Sequence, residues 1–298
     1  QMFNSASVKK INLIQSPRVK PYGCANMFAT ATALNAIDSI KVSVVEEHGF
    51  YQMCINRTAL TTLGGLEVDS LYDYACYQMF YECSGLTSIP QRMPVRYIGN
   101  HACQQMFQSA TKITAPMAME GLRRIASYGC DQMYNSCSLL VSVPKMHVDY
   151  VDYAGCRRMF YYCPKIATIG SLTADTIANL GCSEMFYIKA GNPVACTLDT
   201  LEAKVLGDSA CWNMFGGSTS YTKVSSVKLL KADKVGNYAC MSMFDQCSKL
   251  TGVDEIRVKE IGEYGNKGMF TNCTTLTTLP DTLTAHLVKD GGCYQMFK

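Results

Sequence analysis

Charge, histidine, tryptophan and long apolar runs are all scarce in this 298-residue sequence. Asp, Glu, Lys and Arg make up only 17% of it and leave a net charge of +3. So small a surplus excludes nucleic acid or an acidic surface as the main partner. The chain has no apolar run long enough for a membrane-spanning helix, which needs about 18 residues or more. With four histidines there is no His-Glu-x-x-His, and Gly-x-Ser-x-Gly and Walker loops are also missing. Carboxylates are scattered and no pair recurs, so no enzyme activity is expected. Nor is a cofactor or a metal. There are 16 cysteines, but Cys-x-x-Cys never occurs and no Cys lies near a His in a ligand pattern. Disorder is excluded by 10% aromatics and 48% hydrophobic residues against 22 glycines and 9 prolines.

What is abundant is methionine, and its spacing organises the chain. Met2, Met27, Met53, Met79, Met106, Met133, Met159, Met185, Met214, Met243, Met269 and Met296 follow one another at gaps of 25 to 29 residues. Phenylalanine comes next in ten of the twelve cases, with Cys54 and Tyr134 as substitutes. Three residues before the methionine stands cysteine in nine of eleven cases, from Cys24 to Cys293. Cys83, Cys137, Cys163, Cys247 and Cys273 stand four after it. Offsets −3, 0, +1, +4 and +7 lie on one face of an α-helix, which predicts a short helix over Tyr74–Cys83 and its counterparts. The following Leu-Thr-Ser-Ile or Leu-Thr-Thr-Leu predicts a strand of four or five residues. A second apolar stretch follows, as in Ile256–Ile261. One such unit cannot bury a face alone, but stacked copies can. The expected fold is α/β: a right-handed β/α solenoid of about twelve repeats of 25–29 residues. Helices about 10 Å apart against strands about 4.8 Å apart would curve it, strands on the concave side. The same helix spacing argues against disulfides and for buried thiols used as packing.

The segments YACYQMFYECSGLTSIP (Tyr74–Pro90) and IGEYGNKGMFTNCTTLTTLP (Ile261–Pro280) resemble the BspA-type leucine-rich repeats of bacterial surface proteins. Cys-x-x-Met-Phe stands here where that pattern has Ala-Phe, and the period is longer. The resemblance covers the whole chain. It implies a leucine-rich-repeat solenoid used for attachment, without naming a ligand. Residues 1–298 read as a single continuous array, a segment of a longer protein that lacks its caps.

Two surfaces are candidates. At offset +9, Thr62, Ser88, Ser142, Thr168 and Thr278 belong to a row of small residues on the expected concave face. The other lies at two 29-residue repeats, where inserted loops place Tyr187, Lys189, Asn192, Ser218 and Tyr221 near the only tryptophan, Trp212. The Gln or Asn before the methionine, in eight of twelve repeats, suits a ladder of amides. His48 and His101 occupy a position that is tyrosine elsewhere, so they are framework residues. The function expected is a non-catalytic recognition or adhesion module, extracellular or on a cell surface, binding protein or glycan on another cell. The alternative is a spacer or assembly subunit of a phage fibre or cell-surface filament. It would contact neighbouring subunits through uncapped ends, with a virion as its location. Neither reading needs nucleic acid or direct membrane insertion.

Overall fold

The computed structural model describes residues 7–188, 194–217, 224–281 and 283–298. It is a parallel β-solenoid of about ten turns. The principal sheet takes one strand from each coil in chain order: Ile14–Val19, Ile40–Val45, Leu66–Leu71, Tyr97–Ile98, Arg124–Ile125, Met146–Val151, Leu172–Ile177, Cys196–Leu206, Val224–Val235, Gly252–Ile261 and Leu287–Val288. These strands are the second apolar stretch of each repeat. The strand expected at +7 to +11 shrinks to two residues, as in Thr62–Leu63 and Thr168–Ile169, and forms a minor ladder beside the principal one.

The helix is not there. Among the described residues no α-helix occurs, so the α/β description gives way to an all-β one. In place of the helix, Tyr74–Cys83 is a chain of linked turns. The N–H groups of Ala75, Tyr77, Met79, Tyr81 and Cys83 each donate to the carbonyl three residues back. Those of Tyr74, Cys76, Gln78, Phe80 and Glu82 instead donate to the next coil. Every fourth residue is left-handed: Tyr74, Gln78 and Glu82 have φ of 55°, 51° and 55°. That is the conformation the third residue of a type II turn requires. Among the described residues the ribbon recurs from coil to coil, with 27 non-glycine residues at positive φ in the same phase. Left-handed backbone is uncommon outside glycine. Here it lets alternate N–H groups point along the solenoid axis, where the next coil accepts them. An α-helix would turn all of them inward and hold neighbouring copies about 10 Å apart, twice the spacing of the sheets. With the helices gone, the reason for curvature around a concave strand face is gone too.

The side chains still divide as the periodicity requires. Ala75, Cys76, Met79, Phe80 and Cys83 are fully buried. Copies stack as columns. Phe80, Phe107, Tyr134, Phe160, Phe186, Phe215, Phe244, Phe270 and Phe297 have ring centroids 5.1–5.5 Å apart and nearly parallel planes. None of the 16 cysteines is paired in a disulfide among the described residues, and 13 of them are buried. The cysteine at +4 also ties one coil to another. Cys83 donates to the Cys54 carbonyl at 3.0 Å and Cys137 to that of Phe107 at 3.1 Å, each on the preceding coil. Burial drives the Cys76, Cys137 and Cys247 thiols well above their ordinary range, so they stay protonated.

Principal strands differ in length from coil to coil, and Gly252–Ile261 has ten residues within a 26-residue spacing. The three 27-residue spacings, Met79–Met106, Met106–Met133 and Met269–Met296, coincide with principal strands of only two residues. The two 29-residue spacings coincide with strands of 11 and 12 residues.

Candidate functional site

The outer face of the principal sheet is laced by ion pairs between coils: Lys41–Glu67 at 3.3 Å, Lys204–Asp175 at 2.7 Å, Lys231–Glu202 at 2.5 Å and Lys259–Asp233 at 2.8 Å. Exposed pairs of this kind contribute about 0–1 kcal/mol each. Their effect is to leave a neutral, self-satisfied surface.

That regularity breaks inside the array at the first two 27-residue coils. Arg92–Pro94 pairs only with Ala118–Glu120, apart from the principal sheet. Ladder pairing resumes at Tyr97–Ile98 and Arg124–Ile125. The local cause is legible in two residues. Pro94 has no N–H to give a neighbouring strand. Gly121 sits at φ +77°, where an extended strand cannot continue and where a side chain would be strained. A groove opens on each side of this bulge. The first, about 800 Å³, lies between Lys41, Glu67 and Asp69 on one wall and Arg96 and Glu120 on the other. The second, about 660 Å³, is lined by Glu120, Arg123, Lys145, His147, Ser171 and Thr173 among others.

Four of the nine arginines stand in this stretch: Arg92, Arg96, Arg123 and Arg124. Arg96 pairs with Asp69 at 3.1 Å. Arg124 pairs with Asp152 at 2.7 Å and lies over the Tyr150 ring, 5.4 Å from its centroid. The hydrogen bond that Arg124 donates to Asp152 raises the Arg124 pKa, fixing its charge. Tyr97, Arg124 and Tyr150 occupy one register row on adjacent coils. Sequence reasoning misses this place, because the longer 29-residue repeats outweigh it. Its signal is the single extra residue in two successive spacings.

Thr62 and Ser88, from the row of small residues, are neighbours in the minor ladder. Ser142 pairs with Thr168, and Thr278 bridges to Gly252. Residues at +9 thus stand beside one another on adjacent coils, in two stretches. The threonines one position earlier are occupied structurally: Thr61 and Thr87 hydroxyls donate to the Asn35 and Thr61 carbonyls of preceding coils. Of the loop patch, Lys189, Asn192, Ser218 and Tyr221 lie outside the described residues. Trp212 is half-buried. Tyr187 is also half-buried and stacks on Tyr161 at 5.4 Å, in a different row of the turn ribbon from Trp212. The amide ladder is present over three coils, Gln52 donating to Gln78 and Gln78 to Gln105, both at 2.7 Å, and ends at Gln132, which donates to Asp131. His48 stacks between Tyr22 and Tyr74 at 4.7 and 4.8 Å, and His101 between Tyr74 and Tyr128 at 4.7 and 5.0 Å. Both complete a tyrosine column, as framework residues do. Where amides give way to charge, Asp131 is fully buried and receives Arg157 at 3.0 Å and Gln104 at 2.9 Å. Among the described residues no group of three His, Cys, Asp or Glu side chains is placed to hold a metal ion. No helix among them is long and apolar enough to cross a membrane.

No protein-family model matches the chain, and no curated protein does. Solved structures similar to it include two repeat proteins. One is a leucine-rich repeat protein from Bacteroides ovatus ATCC 8483, with TM-score 0.38 and 13% identity over 94% of this chain and 74% of that one. The other is a leucine-rich cell surface protein from Faecalibacterium prausnitzii A2-165, with TM-score 0.27 and 13% identity over 93% of this chain and 84% of that one. The class that the repeat motif resembles is thus also the class of these structural neighbours. At such scores function has to be read from this chain's own residues.

Proposed function

We propose that this chain is a non-catalytic, surface-exposed recognition or adhesion module that binds protein or glycan through the outer face of its principal sheet, at the two bulged coils. One observation carries the reading. Arginine and tyrosine, the side chains that dominate binding hot spots, gather where the ladder is interrupted and flanked by two grooves. Elsewhere the described outer face is spaced ion pairs. Its place on this reading is extracellular or on a cell surface, as the motif's resemblance implies.

The test is binding of the fluorescently labelled chain to intact cells and to arrays of matrix proteins and glycans, with one variant for each candidate surface. Arg96→Ala with Arg124→Ala is expected to weaken binding at least about tenfold, the scale of losing a hot spot. Thr168→Arg, on the +9 row, and Trp212→Ala, at the inserted repeats, are expected to leave it unchanged. Loss of binding in either of those two, with the double arginine variant intact, would move the binding face there.

A further inference from the structure

The two grooves beside the bulge differ in charge. In the first, both cations are already engaged: Lys41 with Glu67 at 3.3 Å and Arg96 with Asp69 at 3.1 Å. In the second, Arg123 and Lys145 line the cavity and are exposed, and among the described residues neither has a carboxylate within ion-pair distance. The acids near them are directed elsewhere. Glu120 faces Arg92 at 3.8 Å, and Asp149 faces His147 Nε2 at 3.5 Å. Hydroxyls complete the site. Thr173 Oγ1 lies 2.8 Å from His147 Nδ1, and Ser171, which also lines the groove, donates its hydroxyl to Asp199. The apolar lining comes from Met119, Leu122 and Met146. Its size, about 660 Å³, falls within the range of about 300–1,000 Å³ typical of small-ligand sites.

Resting on the recognition reading above, we infer that this second groove takes a saccharide bearing a carboxylate. Arg123 and Lys145 supply two unpaired cations for the charge, and guanidinium matches a carboxylate in two parallel hydrogen bonds. His147 faces Thr173 and Asp149, and Ser171 donates to Asp199, so it is the hydroxyl lone pairs of Ser171 and Thr173 that accept from ring hydroxyls. The half-buried Met146 thioether meets the C–H face of the sugar. The strands on either side are held coil to coil by backbone bonds, so the site is formed before the ligand arrives and little ordering cost falls on binding.

The experiment is calorimetric titration of the chain with trigalacturonate, with galactotriose as its neutral counterpart and hexa-aspartate as an acidic peptide. Trigalacturonate is expected to bind at least about tenfold tighter than galactotriose, one charged contact being worth at least that ratio. The variant carrying Arg123→Ala and Lys145→Ala is expected to lose at least the same factor, with its melting temperature unchanged because both side chains are exposed. The inference is overturned if wild type and variant bind trigalacturonate equally, if wild type does not bind it, or if hexa-aspartate displaces it at equal or lower concentration. In that last case the groove reads acidic peptide. The recognition reading fails separately. If Arg96→Ala with Arg124→Ala still abolishes cell binding while trigalacturonate does not bind, only the saccharide assignment falls. If neither assay responds, both fall.

Discussion

At the residue scale, the repeated cysteines are small hydrophobes with one useful donor. At +4 the thiol reaches a carbonyl of the preceding coil, which at Phe107 and Phe244 also accepts a backbone N–H of its own turn. At −3 neighbouring thiols bond one another, and this contact together with burial raises the Cys130 and Cys156 pKa values. Cys83 and Cys240 are pushed up to about 12, chiefly by burial. Below the ordinary thiol pKa of about 9, folded and unfolded chains are equally protonated at these sulfurs. Above it the unfolded chain releases protons that the folded chain keeps, so stability falls as pH climbs from about 9 toward 12. The melting temperature is expected to be flat from pH 6 to 8 and to drop steeply by pH 10. A curve unchanged at pH 10 would mean that the thiols are not buried as described. The burial of these thiols is legible in the sequence, but their neighbours are not. Helix spacing would set successive copies about 10 Å apart, and the coils are closer than that.

At the element scale, helix and turn ribbon share a face. Side chains at −4, −3, 0, +1 and +4 point inward in both, because four residues of an α-helix overshoot a full turn by only about 40°. Over the ten residues of Tyr74–Cys83 that drift stays within the width of an apolar stripe, so periodicity alone cannot separate the two. The available signal is the residue at −4, which is glycine or alanine in every coil, from Gly23 to Gly292. A Cβ at Gly49 would come within 2.6 Å of Val45 Cγ1, and one at Gly181 equally close to Ile177 Cγ2. A solvent-side or core helix has no need of so strict a limit. The left-handed residues give a direct prediction. Ser209 is half-buried at φ 54°. Ser209→Gly is expected to stabilise by about 1 kcal/mol, and Ser209→Val to destabilise by at least as much. Denaturant midpoints of the two variants should move in opposite directions. If both fell, the backbone there would not be left-handed.

At the scale of the whole molecule, each coil contacts its neighbours and little else. Single residues in the repeat length therefore have local effects that accumulate along the surface. The methionine spacing makes stacking, coil length, the amide ladder and the aromatic columns readable in advance. It does not reveal that a 27-residue coil shortens the principal strand to two residues while a 29-residue coil extends it. The reason is that the strand absorbs or yields residues at its start, near Arg92 and Cys196, where no side chain of the repeat pattern is fixed. The same looseness makes the bulge, and with it the grooves and the arginine cluster on which the proposed recognition rests.

A ribbon of turns, not a helix, closes each coil, and everything else in the fold depends on it. Backbone NMR of the deuterated chain tests this most directly, through the dihedral angles implied by chemical shifts across Tyr74–Cys83 and Tyr128–Cys137. Positive φ at Tyr74, Gln78 and Glu82, and at Tyr128, Gln132 and Ser136, with the residues between them negative, is the predicted result. An unbroken run of helical shifts over either segment would contradict it and restore a solenoid of alternating strands and helices.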